Sequence, residues 1–189
     1  MELRNETKFN IKYDVAKKYL HKNKTIRQFD DRNVHSIYFD NSEFKFFTDS
    51  EEGTVPRKKV RYRWYNNNYE SGNLEIKKTF STHREKTKKK ANLKNIKNKL
   101  FLLGLKPVLK VSYLREYYII DKTRFTLDKQ IKFFKLNKYF GIMSKINVQD
   151  NIIEFKSSIS IDYSMILQDI MQYRTRYSKY CEGIKRLYV

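Results

Sequence analysis

The sequence predicts an α+β fold in which an antiparallel β-sheet closes into a barrel with flanking helices. Several separate stretches alternate charged and apolar residues, so each strand would have one ionic face and one apolar face. Only a few short helical stretches are available to cover the apolar face of an open sheet. A closed barrel resolves this shortage, because it turns the charged faces towards a wet channel and the apolar faces outwards beneath the helices.

The clearest strands form a predicted hairpin over residues 56–80. Residues 59–64 alternate Lys or Arg with Val, Tyr and Trp, so one face of this strand is a row of cations and the other is apolar. After a polar turn that contains Gly72, Glu75 and Lys77 alternate with Leu and Ile, as the partner strand of a hairpin should. Because like charges side by side on a sheet repel, the row of cations needs an anion nearby.

Composition restricts the class of partner. Lys and Arg total 41 against 21 Asp and Glu, which gives a formal net charge of +20. A chain this basic usually meets nucleic acid, anionic lipid or a polyphosphate. Cys181 is the only cysteine, and the three histidines show no metal-ligand spacing. Neither an intrachain disulfide nor a histidine-based metal site is therefore expected.

Length and hydropathy predict one soluble domain over residues 1–189. The longest apolar run, residues 100–105, is far shorter than the ~18 residues that a membrane span needs. The sequence begins on a charged strand without the apolar stretch of a signal peptide. These features, with the single cysteine, predict a cytoplasmic location and no transmembrane segment.

Short elements precede the hairpin. Residues 2–13 alternate in charge and predict the first strand. Asp14 is the predicted N-cap of a short helix. Residues 34–40 alternate as a second strand, and residues 42–48 predict a helical turn that packs two phenylalanines beneath it.

A basic stretch follows the hairpin. Leu93, Ile96, Leu100 and Leu103 recur at helical spacing and predict a helix over residues 91–103. The cations that come before this helix lie two residues apart: Arg84, Lys86 and Lys88. This spacing leaves them on a cationic strand face or in a loop.

Strands dominate the second half of the chain. Pro107 cannot lie inside a helix, and the β-rich residues 108–120 predict a long strand after it. Further strands are predicted at residues 123–128, 131–136, 142–148 and 151–157. Asp162 is the predicted N-cap of a helix that runs to about Tyr173, and a last short helix follows.

Three strands place a glutamate and a lysine two residues apart on one face. The pairs are Glu6 with Lys8, Glu75 with Lys77, and Glu154 with Lys156. On an ordinary surface such pairs would be solvated and would contribute about 0–1 kcal/mol each. Around one channel they predict a phosphate site, because Arg and Lys bind phosphate oxygens and a few carboxylates among them can hold Mg²⁺ or Mn²⁺ for phosphoryl transfer.

Several motifs occur in an order that resembles a known family. They are Arg4-x-Glu6-x-Lys8-Phe9, Lys59-Val60-Arg61-Tyr62-Arg63-Trp64-Tyr65, Leu74-Glu75-Ile76-Lys77, Pro107 with Tyr113-x-Arg115, Arg124-Phe125-Thr126-Leu127-Asp128, Glu154-Phe155-Lys156 and Tyr177-Ser178-Lys179-Tyr180. Over nearly the whole chain this order resembles the catalytic domain of VTC-type (vacuolar transporter chaperone) polyphosphate polymerases. These enzymes belong to the CYTH-like superfamily of triphosphate tunnel metalloenzymes.

The resemblance implies a closed antiparallel eight-stranded β-barrel, the triphosphate tunnel, with flanking helices. It also implies ATP as the substrate, Mn²⁺ or Mg²⁺ as the cofactor, and inorganic polyphosphate as the growing product. Eukaryotic proteins of this type carry additional phosphate-sensing and membrane regions. Coupling to translocation would therefore need a separate membrane partner chain.

The resemblance also assigns roles to individual residues. The catalytic cations that would grip phosphates are Arg61, Arg63, Lys77, Arg115, Arg124, Lys156 and Lys179. The further substrate-binding residues are Lys8, Lys86, Tyr113, Arg176 and Ser178. Arg84 and Lys88 are rivals for the role given to Lys86. Glu154 would be the principal metal ligand, and Glu6 and Glu75 would help directly or through water.

A hydrolase of the same fold is the second enzyme hypothesis, either a tripolyphosphatase or an RNA 5′-triphosphatase. Such hydrolases typically place Glu-x-Glu pairs on the first strand and, in capping enzymes, on a late strand as well. Here the first strand reads Glu2-x-Arg4-x-Glu6, and the late strand has only Glu154. The smaller number of carboxylates favours the polymerase.

The alternatives that are not enzymes are a nucleic-acid binder and a polyphosphate-binding module without activity. A nucleic-acid binder would use Tyr62, Trp64 and Tyr65 as stacking platforms. Its weakness is that cations and aromatic side chains alternate onto opposite faces, whereas a stacking groove needs both on one face. No specific nucleic-acid partner is therefore expected, although the basic stretch of residues 84–99 could still bind RNA or a membrane surface peripherally. The inactive polyphosphate binder also stays open.

Overall fold

Strands and helices follow the predicted order with two differences: the strands predicted at residues 123–128 and 131–136 are one strand, Thr123–Leu136, and the short strand Arg174–Thr175 was not predicted. The computed structural model describes residues 4–121, 123–158 and 164–189. Its strands are β1 (Arg4–Ile11), β2 (Ile26–Asp40), β3 (Arg57–Tyr65), β4 (Gly72–Thr79), β5 (Arg84–Ala91), β6 (Lys106–Ile120), β7 (Thr123–Leu136), β8 (Ile142–Asn147), β9 (Asn151–Ser158) and β10 (Arg174–Thr175). Its helices are α1 (Tyr13–Lys22), α2 (Lys45–Glu51), α3 (Leu93–Leu102), α4 (Ser164–Leu167), a 3₁₀ helix (Gln168–Tyr173) and α5 (Lys179–Tyr188).

The strands form a sheet that is not closed. Its ten strands follow the order β10-β1-β9-β7-β6-β2-β3-β4-β5, and β8 pairs with β7. The pairings of β1 with β10 and β9, of β7 with β8 and β9, and along the series β2-β3-β4-β5 are antiparallel. Among the described residues no pairing joins β10 to β5. The predicted closed eight-stranded barrel is therefore wrong in both strand number and closure.

The two end strands have features that oppose further pairing. β10 has 2 residues, and a strand this short offers few backbone groups to a partner. β5 has the sequence REKTKKKA, and all of its residues except the last are exposed. A lysine-rich, solvated edge strand resists the addition of another strand. The alternative that Arg84, Lys86 and Lys88 continue a cationic strand face is confirmed by β5.

Contacts within the chain divide it into two units, each made of three segments. The first unit comprises Met1–Arg32, Tyr113–Ile131 and Val148–Tyr177. The second comprises Asn33–Ser112, Lys132–Asn147 and Ser178–Val189. The long strands β2, β6 and β7 each contribute residues to both units. The single domain expected over residues 1–189 stays a prediction.

The core of the first unit confirms the predicted alternation of its strands. Phe9, Phe125 and Phe155 come from β1, β7 and β9 and are all buried. The rings of Phe125 and Phe155 stack with their centroids 4.5 Å apart. Tyr19 of α1 and Ile170 of the 3₁₀ helix complete this cluster. The apolar face of the three strands is therefore covered by helices, as the sequence predicts.

The core of the second unit confirms the predicted hairpin. Val60, Tyr62 and Trp64 of β3 are buried together with Leu93 and Leu100 of α3. Arg61 of β3 pairs with Glu75 of β4 in the antiparallel register. The apolar face of the hairpin thus packs against α3 and leaves the charged face on the other side.

The structure differs from the prediction at several element ends. β2 begins at Ile26 rather than at residue 34. The N-cap of α1 is Lys12, and Asp14 lies in the first turn, where its charge favours the helix N-terminus. The predicted Asp162 cap lies outside the described residues. The helix expected up to Tyr173 is a short α4 followed by a 3₁₀ helix.

Leu103 does not belong to the buried stripe of α3. The helix ends at Leu102, and Gly104 adopts a positive φ of 71° that turns the chain away. The buried positions of α3 are Leu93 and Leu100, and Ile96 packs partly against the same cluster. Leu103 is 71% exposed. The helical spacing was correct, but the helix is too short to bury its last predicted member.

Asp40 connects β2, α2 and α5 in the second unit. Its side chain is fully buried and accepts hydrogen bonds from the backbone N–H groups of Phe46 and Phe47, at 3.0 and 3.1 Å. The hydroxyl of Tyr180 in α5 also donates to it. Burial and the neighbouring carboxylate raise the pKa of Tyr180, which keeps this hydroxyl a donor. Asp40 therefore fixes the helix that begins at Lys179.

We expect Asp40→Ala to lower the free energy of unfolding by about 3 kcal/mol, because several buried donors lose their acceptor. Urea denaturation followed by circular dichroism measures this change. Asp30→Ala is the control, since Asp30 is exposed and its loss should change stability by less than about 0.5 kcal/mol. Equal stability of the Asp40 and Asp30 variants would contradict the role given to Asp40.

Candidate functional site

The charged face of the second unit is centred on an ion-pair network that we call the Arg61 cluster: Tyr38, Arg61, Glu75 and Lys86. Arg61 donates to Glu75 Oε2 from Nε at 2.9 Å and from Nη2 at 2.5 Å. Its Nη1 donates to the Tyr38 hydroxyl at 3.1 Å. Lys86 Nζ lies 3.4 Å from Glu75 Oε1. Glu75 of β4 thus binds cations from β3 and β5, the two strands that flank β4.

The Glu75 carboxylate remains ionised because of its neighbours. Burial acts to raise its pKa, but the charges of Arg61 and Arg63, the hydrogen bond from Arg61 and the charge of Lys86 outweigh burial and lower the pKa from 4.5 to about 2. One carboxylate cannot neutralise these three cations. The Arg61 cluster therefore keeps a net positive charge that suits an anionic ligand.

Tyr38 is a member of this cluster that the sequence reasoning missed. Its ring is buried and stacks on Tyr180 with the centroids 5.0 Å apart. Burial acts to raise its pKa, but the charges of Arg61 and Arg63 prevail and lower it. Tyr38 pairs with Arg61 in the β2–β3 register. This cross-strand pairing could have identified Tyr38, because residues opposite each other on adjacent strands share a face.

Two further predicted residues of the second unit, Arg63 and Lys77, lie on β3 and β4, and predicted Lys179 is the first residue of α5. Arg63 is buried and its Nε donates to Ser36 Oγ at 3.1 Å. Lys77 pairs with Lys59 and Lys86 in the strand registers. Arg63 thus lies on the strand that carries Arg61, and Lys77 lies on the strand that carries Glu75. Their predicted roles in binding phosphate stay predictions.

Ser178 has a structural function in addition to its predicted one. Its hydroxyl accepts a hydrogen bond from the Cys181 backbone N–H at 3.4 Å and so caps the N-terminus of α5, which starts at Lys179. Lys59 Nζ donates to the same hydroxyl at 2.9 Å. Lys59 lies on the cationic face of β3 but was not among the predicted site residues.

The first unit has its own charged network, the Glu154 cluster: Glu6, Lys8, Glu154 and Lys156. In the β1–β9 register Glu6 pairs with Lys156 and Lys8 with Glu154. Lys8 Nζ lies 3.9 Å from one oxygen of Glu154, and Lys156 Nζ lies 3.4 Å from the other. Glu154 is 7% exposed. The predicted glutamate–lysine pairs on these two strands therefore share one face and interact.

Glu154 is held in its ionised form. Burial acts to raise its pKa, but a hydrogen bond with Glu6 and the charges of Lys8, Lys156 and Arg115 prevail and hold the pKa well below its ordinary value. An ionised, buried carboxylate is a hard oxygen ligand that is available without loss of a proton. This environment fits the principal role predicted for Glu154.

Arg115 is fixed by a partner that was not predicted to belong to the site. It donates from Nε and Nη2 to the two oxygens of Asp128 at 2.6 and 2.7 Å, and Asp128 is fully buried. Burial acts to lower the pKa of Arg115, but Asp128 raises it well above its ordinary value. The guanidinium lies 5.3 Å from the centre of the Tyr113 ring. Asp128 therefore orients Arg115 beside Tyr113.

Two further predicted cations lie on strands of the first unit or next to them. Arg124 of β7 pairs with Lys156 of β9 in the sheet register. Arg176 lines a cavity of about 330 Å³ together with Glu6, Lys8 and Arg174. The cavity has a mainly basic lining with one carboxylate. It is large enough for a small phosphate species.

Two acidic residues of the first unit, Glu6 and Glu154, have the chemistry of metal ligands. Glu6 of β1 and Glu154 of β9 lie on adjacent, paired strands, and Thr126 pairs with Glu154 across β7 and β9. The Thr126 hydroxyl oxygen is buried and has no hydrogen-bond partner within the described residues. Mg²⁺ is commonly held by one or two carboxylates and completes its shell with water and substrate phosphate. Glu154 and Glu6 fit this pattern, with the Thr126 oxygen beside them.

The three predicted metal ligands do not form a complete protein site. Over residues 4–121, 123–158 and 164–189 no group of three or more His, Cys, Asp or Glu side chains is arranged to hold a metal ion. Glu75 belongs to the second unit and bonds to Arg61 and Lys86. Those contacts support a positioning role for Glu75, and its part in metal binding stays a prediction.

Comparison with known protein families shows which family this chain belongs to. A family model for the VTC domain matches residues 3–103 and 80–188. The chain belongs to the VTC domain family. The search of curated proteins found no match to it. In the part of this VTC domain that the structure describes, every helix is too short or too polar to cross a membrane.

Solved structures share the fold of this VTC domain. A candidate adenylate cyclase from Bacillus halodurans is 16% identical with a TM-score of 0.65, covering 100% of this chain and 98% of that one. A Pyrococcus horikoshii protein is 17% identical with a TM-score of 0.64, covering 97% and 99%. A candidate adenylyl cyclase from Hippeastrum, with a dominant triphosphatase activity, is 12% identical with a TM-score of 0.58, covering 100% and 98%. These likenesses show that this VTC domain shares its fold with these three proteins.

We expect Glu75→Gln to remove part of the acid sensitivity of this VTC domain. The pKa of Glu75 falls from 4.5 to about 2 on folding, so its stabilising effect is complete above pH 4.5 and disappears as the pH falls towards 2. At pH 7 the variant should be less stable than the wild type by about 2–3 kcal/mol. The difference should shrink as the pH is lowered through this window.

Urea denaturation at a series of pH values measures this difference. Glu70→Gln is the control, because Glu70 is exposed and lies 3.9 Å from Lys94, so it should follow the wild type within about 0.5 kcal/mol. If the Glu75 variant and the wild type lose stability in parallel over the whole range, Glu75 is not held ionised by its cations.

Proposed function

We propose that this VTC domain is a metal-dependent polyphosphate polymerase that transfers the γ-phosphate of ATP to a growing polyphosphate chain. The observation that supports this most strongly is the environment of its two buried carboxylates. Glu75 and Glu154 are each held ionised among lysine and arginine side chains. Such networks attract linked phosphates and leave oxygen ligands for a divalent cation. Membership of the tunnel superfamily is supported by the family match and the structural neighbours.

The Arg61 cluster would bind phosphate oxygens. Glu75 and Tyr38 hold the guanidinium of Arg61 in one orientation through hydrogen bonds of 2.5 to 3.1 Å. A fixed guanidinium loses little conformational entropy when it meets a phosphate. The side chain of Lys86 is 52% exposed, so it can reach an incoming anion while it stays near Glu75.

The Glu154 cluster would hold the divalent cation. Glu154 and Glu6 supply carboxylate oxygens, and Lys8 and Lys156 balance their charge. When bound, Mn²⁺ or Mg²⁺ neutralises the negative charge that develops on the transferred phosphoryl group. Lys8 also donates to the Tyr177 backbone carbonyl at 3.0 Å, which restrains its ammonium group near Glu154.

The reaction fits a site without a dedicated nucleophile. The bond between the γ-phosphorus and the β,γ-bridging oxygen of ATP breaks, and a terminal oxygen of the polyphosphate chain forms the new bond, so ADP leaves. The attacking oxygen is already anionic and needs no strong base. Phosphoryl transfer then depends on orientation and charge stabilisation, which fixed arginines and lysines provide.

Hydrolysis is the second candidate function. It is favoured by the triphosphatase activity of the structural neighbour from Hippeastrum. In that reaction water replaces the polyphosphate oxygen as the attacking group, and a carboxylate must orient it. The few acidic side chains in the Glu154 cluster are all balanced by lysines, which favours the polymerase.

Product analysis tests the proposal. Purified protein is incubated with ATP and Mn²⁺, and the products are separated on a polyacrylamide gel and by ion-exchange chromatography. The polymerase predicts ADP together with long phosphate chains. ADP with orthophosphate alone would contradict the polymerase and support the hydrolase. Binding of polyphosphate without turnover would leave the domain a non-catalytic binder.

We expect Glu154→Gln to reduce Mn²⁺-dependent turnover by at least about a hundredfold, because the principal carboxylate of the cluster is lost. Glu116→Gln is a matched control. Glu116 is also a buried carboxylate of the first unit and bonds to Lys129 and the Tyr118 hydroxyl. The control should keep its turnover. Equal activity of both variants would remove Glu154 from the site.

A further inference from the structure

Three consecutive large apolar side chains are exposed at the end of α3. Phe101 is 40% exposed, Leu102 88% and Leu103 71%. The buried side of the helix is occupied by Leu93 and Leu100, and Phe101 packs at its edge, with its ring centroid 6.2 Å from that of Phe140. Leu102 and Leu103 are therefore not needed for the core of the second unit. Runs of exposed apolar residues are costly to solubility and generally mark a contact surface.

A second segment extends this apolar surface. Phe101, Gly104 and Leu105 line a cavity of about 330 Å³ together with Lys138 and Tyr139. Tyr139 is 77% exposed, and Lys138 Nζ lies 5.0 Å from the centre of its ring. We call the surface formed by residues 101–104 and 138–139 the apolar corner. It combines two leucines, two aromatic rings and a lysine.

The sequence around the apolar corner is basic without any acid. Residues 86–114 contain no Asp or Glu, and neither do residues 129–149. Lys97 and Lys99 in α3 and Lys138 in the turn after β7 are exposed, and Lys106 is half-buried at the start of β6. The surface therefore offers apolar side chains for insertion and ammonium groups for anions.

We propose that the apolar corner docks onto an anionic lipid membrane. Stable attachment to a bilayer needs two signals, and the corner has both an apolar group for insertion and a basic rim for acidic headgroups. Tyr and Phe suit the interfacial region of a bilayer, where lysine ammonium groups can reach the headgroups. A second copy of this chain is a poor occupant, because two chains with a net charge of +20 would bring like charges together.

Vesicle sedimentation tests this proposal with the whole chain. The protein is mixed with vesicles of phosphatidylcholine alone or with about one-third phosphatidylserine. We expect binding to the anionic vesicles only. The double variant L102S/L103S should bind them roughly tenfold more weakly, because each leucine contributes apolar area to the bilayer. Salt at about 0.5 M should also weaken binding of the wild type.

A matched control distinguishes binding through the apolar corner from nonspecific hydrophobic binding to vesicles. Ile26 and Met165 are 67% and 86% exposed and belong to the first unit. The double variant I26S/M165S removes two exposed apolar side chains and should bind as the wild type does. Thermal unfolding and ATP turnover should be unchanged in both double variants, because none of these residues belongs to either charged cluster.

Several results would overturn the proposal. They are absence of binding to anionic vesicles, equal binding to neutral vesicles, and equal binding by L102S/L103S and the wild type. Sedimentation equilibrium gives one more. A wild-type dimer that L102S/L103S abolishes would make a second copy the occupant of the apolar corner.

Discussion

Within each unit, the pairing of a buried carboxylate with lysines and arginines on the charged face of its strands is the constraint on which the rest of the structure depends. Glu75 and Glu154 are 4% and 7% exposed, and removing a charge from water costs several kcal/mol unless partners compensate for it. Arg61 and Lys86 compensate Glu75, while Lys8 and Lys156 compensate Glu154. Because strands alternate, the same registers put Val60, Tyr62 and Phe155 on the apolar face beneath the helices.

This arrangement explains why cations outnumber acids around each buried carboxylate. A buried ion pair on its own adds little to stability compared with apolar residues of similar size. An excess of arginines and lysines destabilises the folded state further, because the side chains repel one another unless an anion binds between them. Fixed hydrogen bonds, such as those between Arg115 and Asp128 at 2.6 and 2.7 Å, keep the cations oriented before the ligand arrives. Under the function proposed above, a phosphate chain is that anion.

Local alternation allowed much of the fold and of the site to be predicted. The faces of β1, β3, β4 and β9 and the contacts of Lys8 and Lys156 with Glu154 follow from residue spacing of two. Tyr38, Asp40 and Asp128 were missed because their partners Arg61, Tyr180 and Arg115 lie on other elements, 13 or more residues away in the sequence. The predicted closure of the barrel was wrong for a different reason. Whether the two end strands of a sheet pair with each other depends on their length and on their exposure to solvent. Neither property is visible in a pattern of alternate residues.

The most direct test of the account is a crystal structure of the protein with Mn²⁺ and tripolyphosphate, in which anomalous scattering locates the metal. The account predicts an anomalous peak at the carboxylates of Glu154 and Glu6 and phosphate oxygens within hydrogen-bond distance of Arg61 or Lys86. Mn²⁺ bound at other side chains, or phosphate that contacts neither charged cluster, would contradict it.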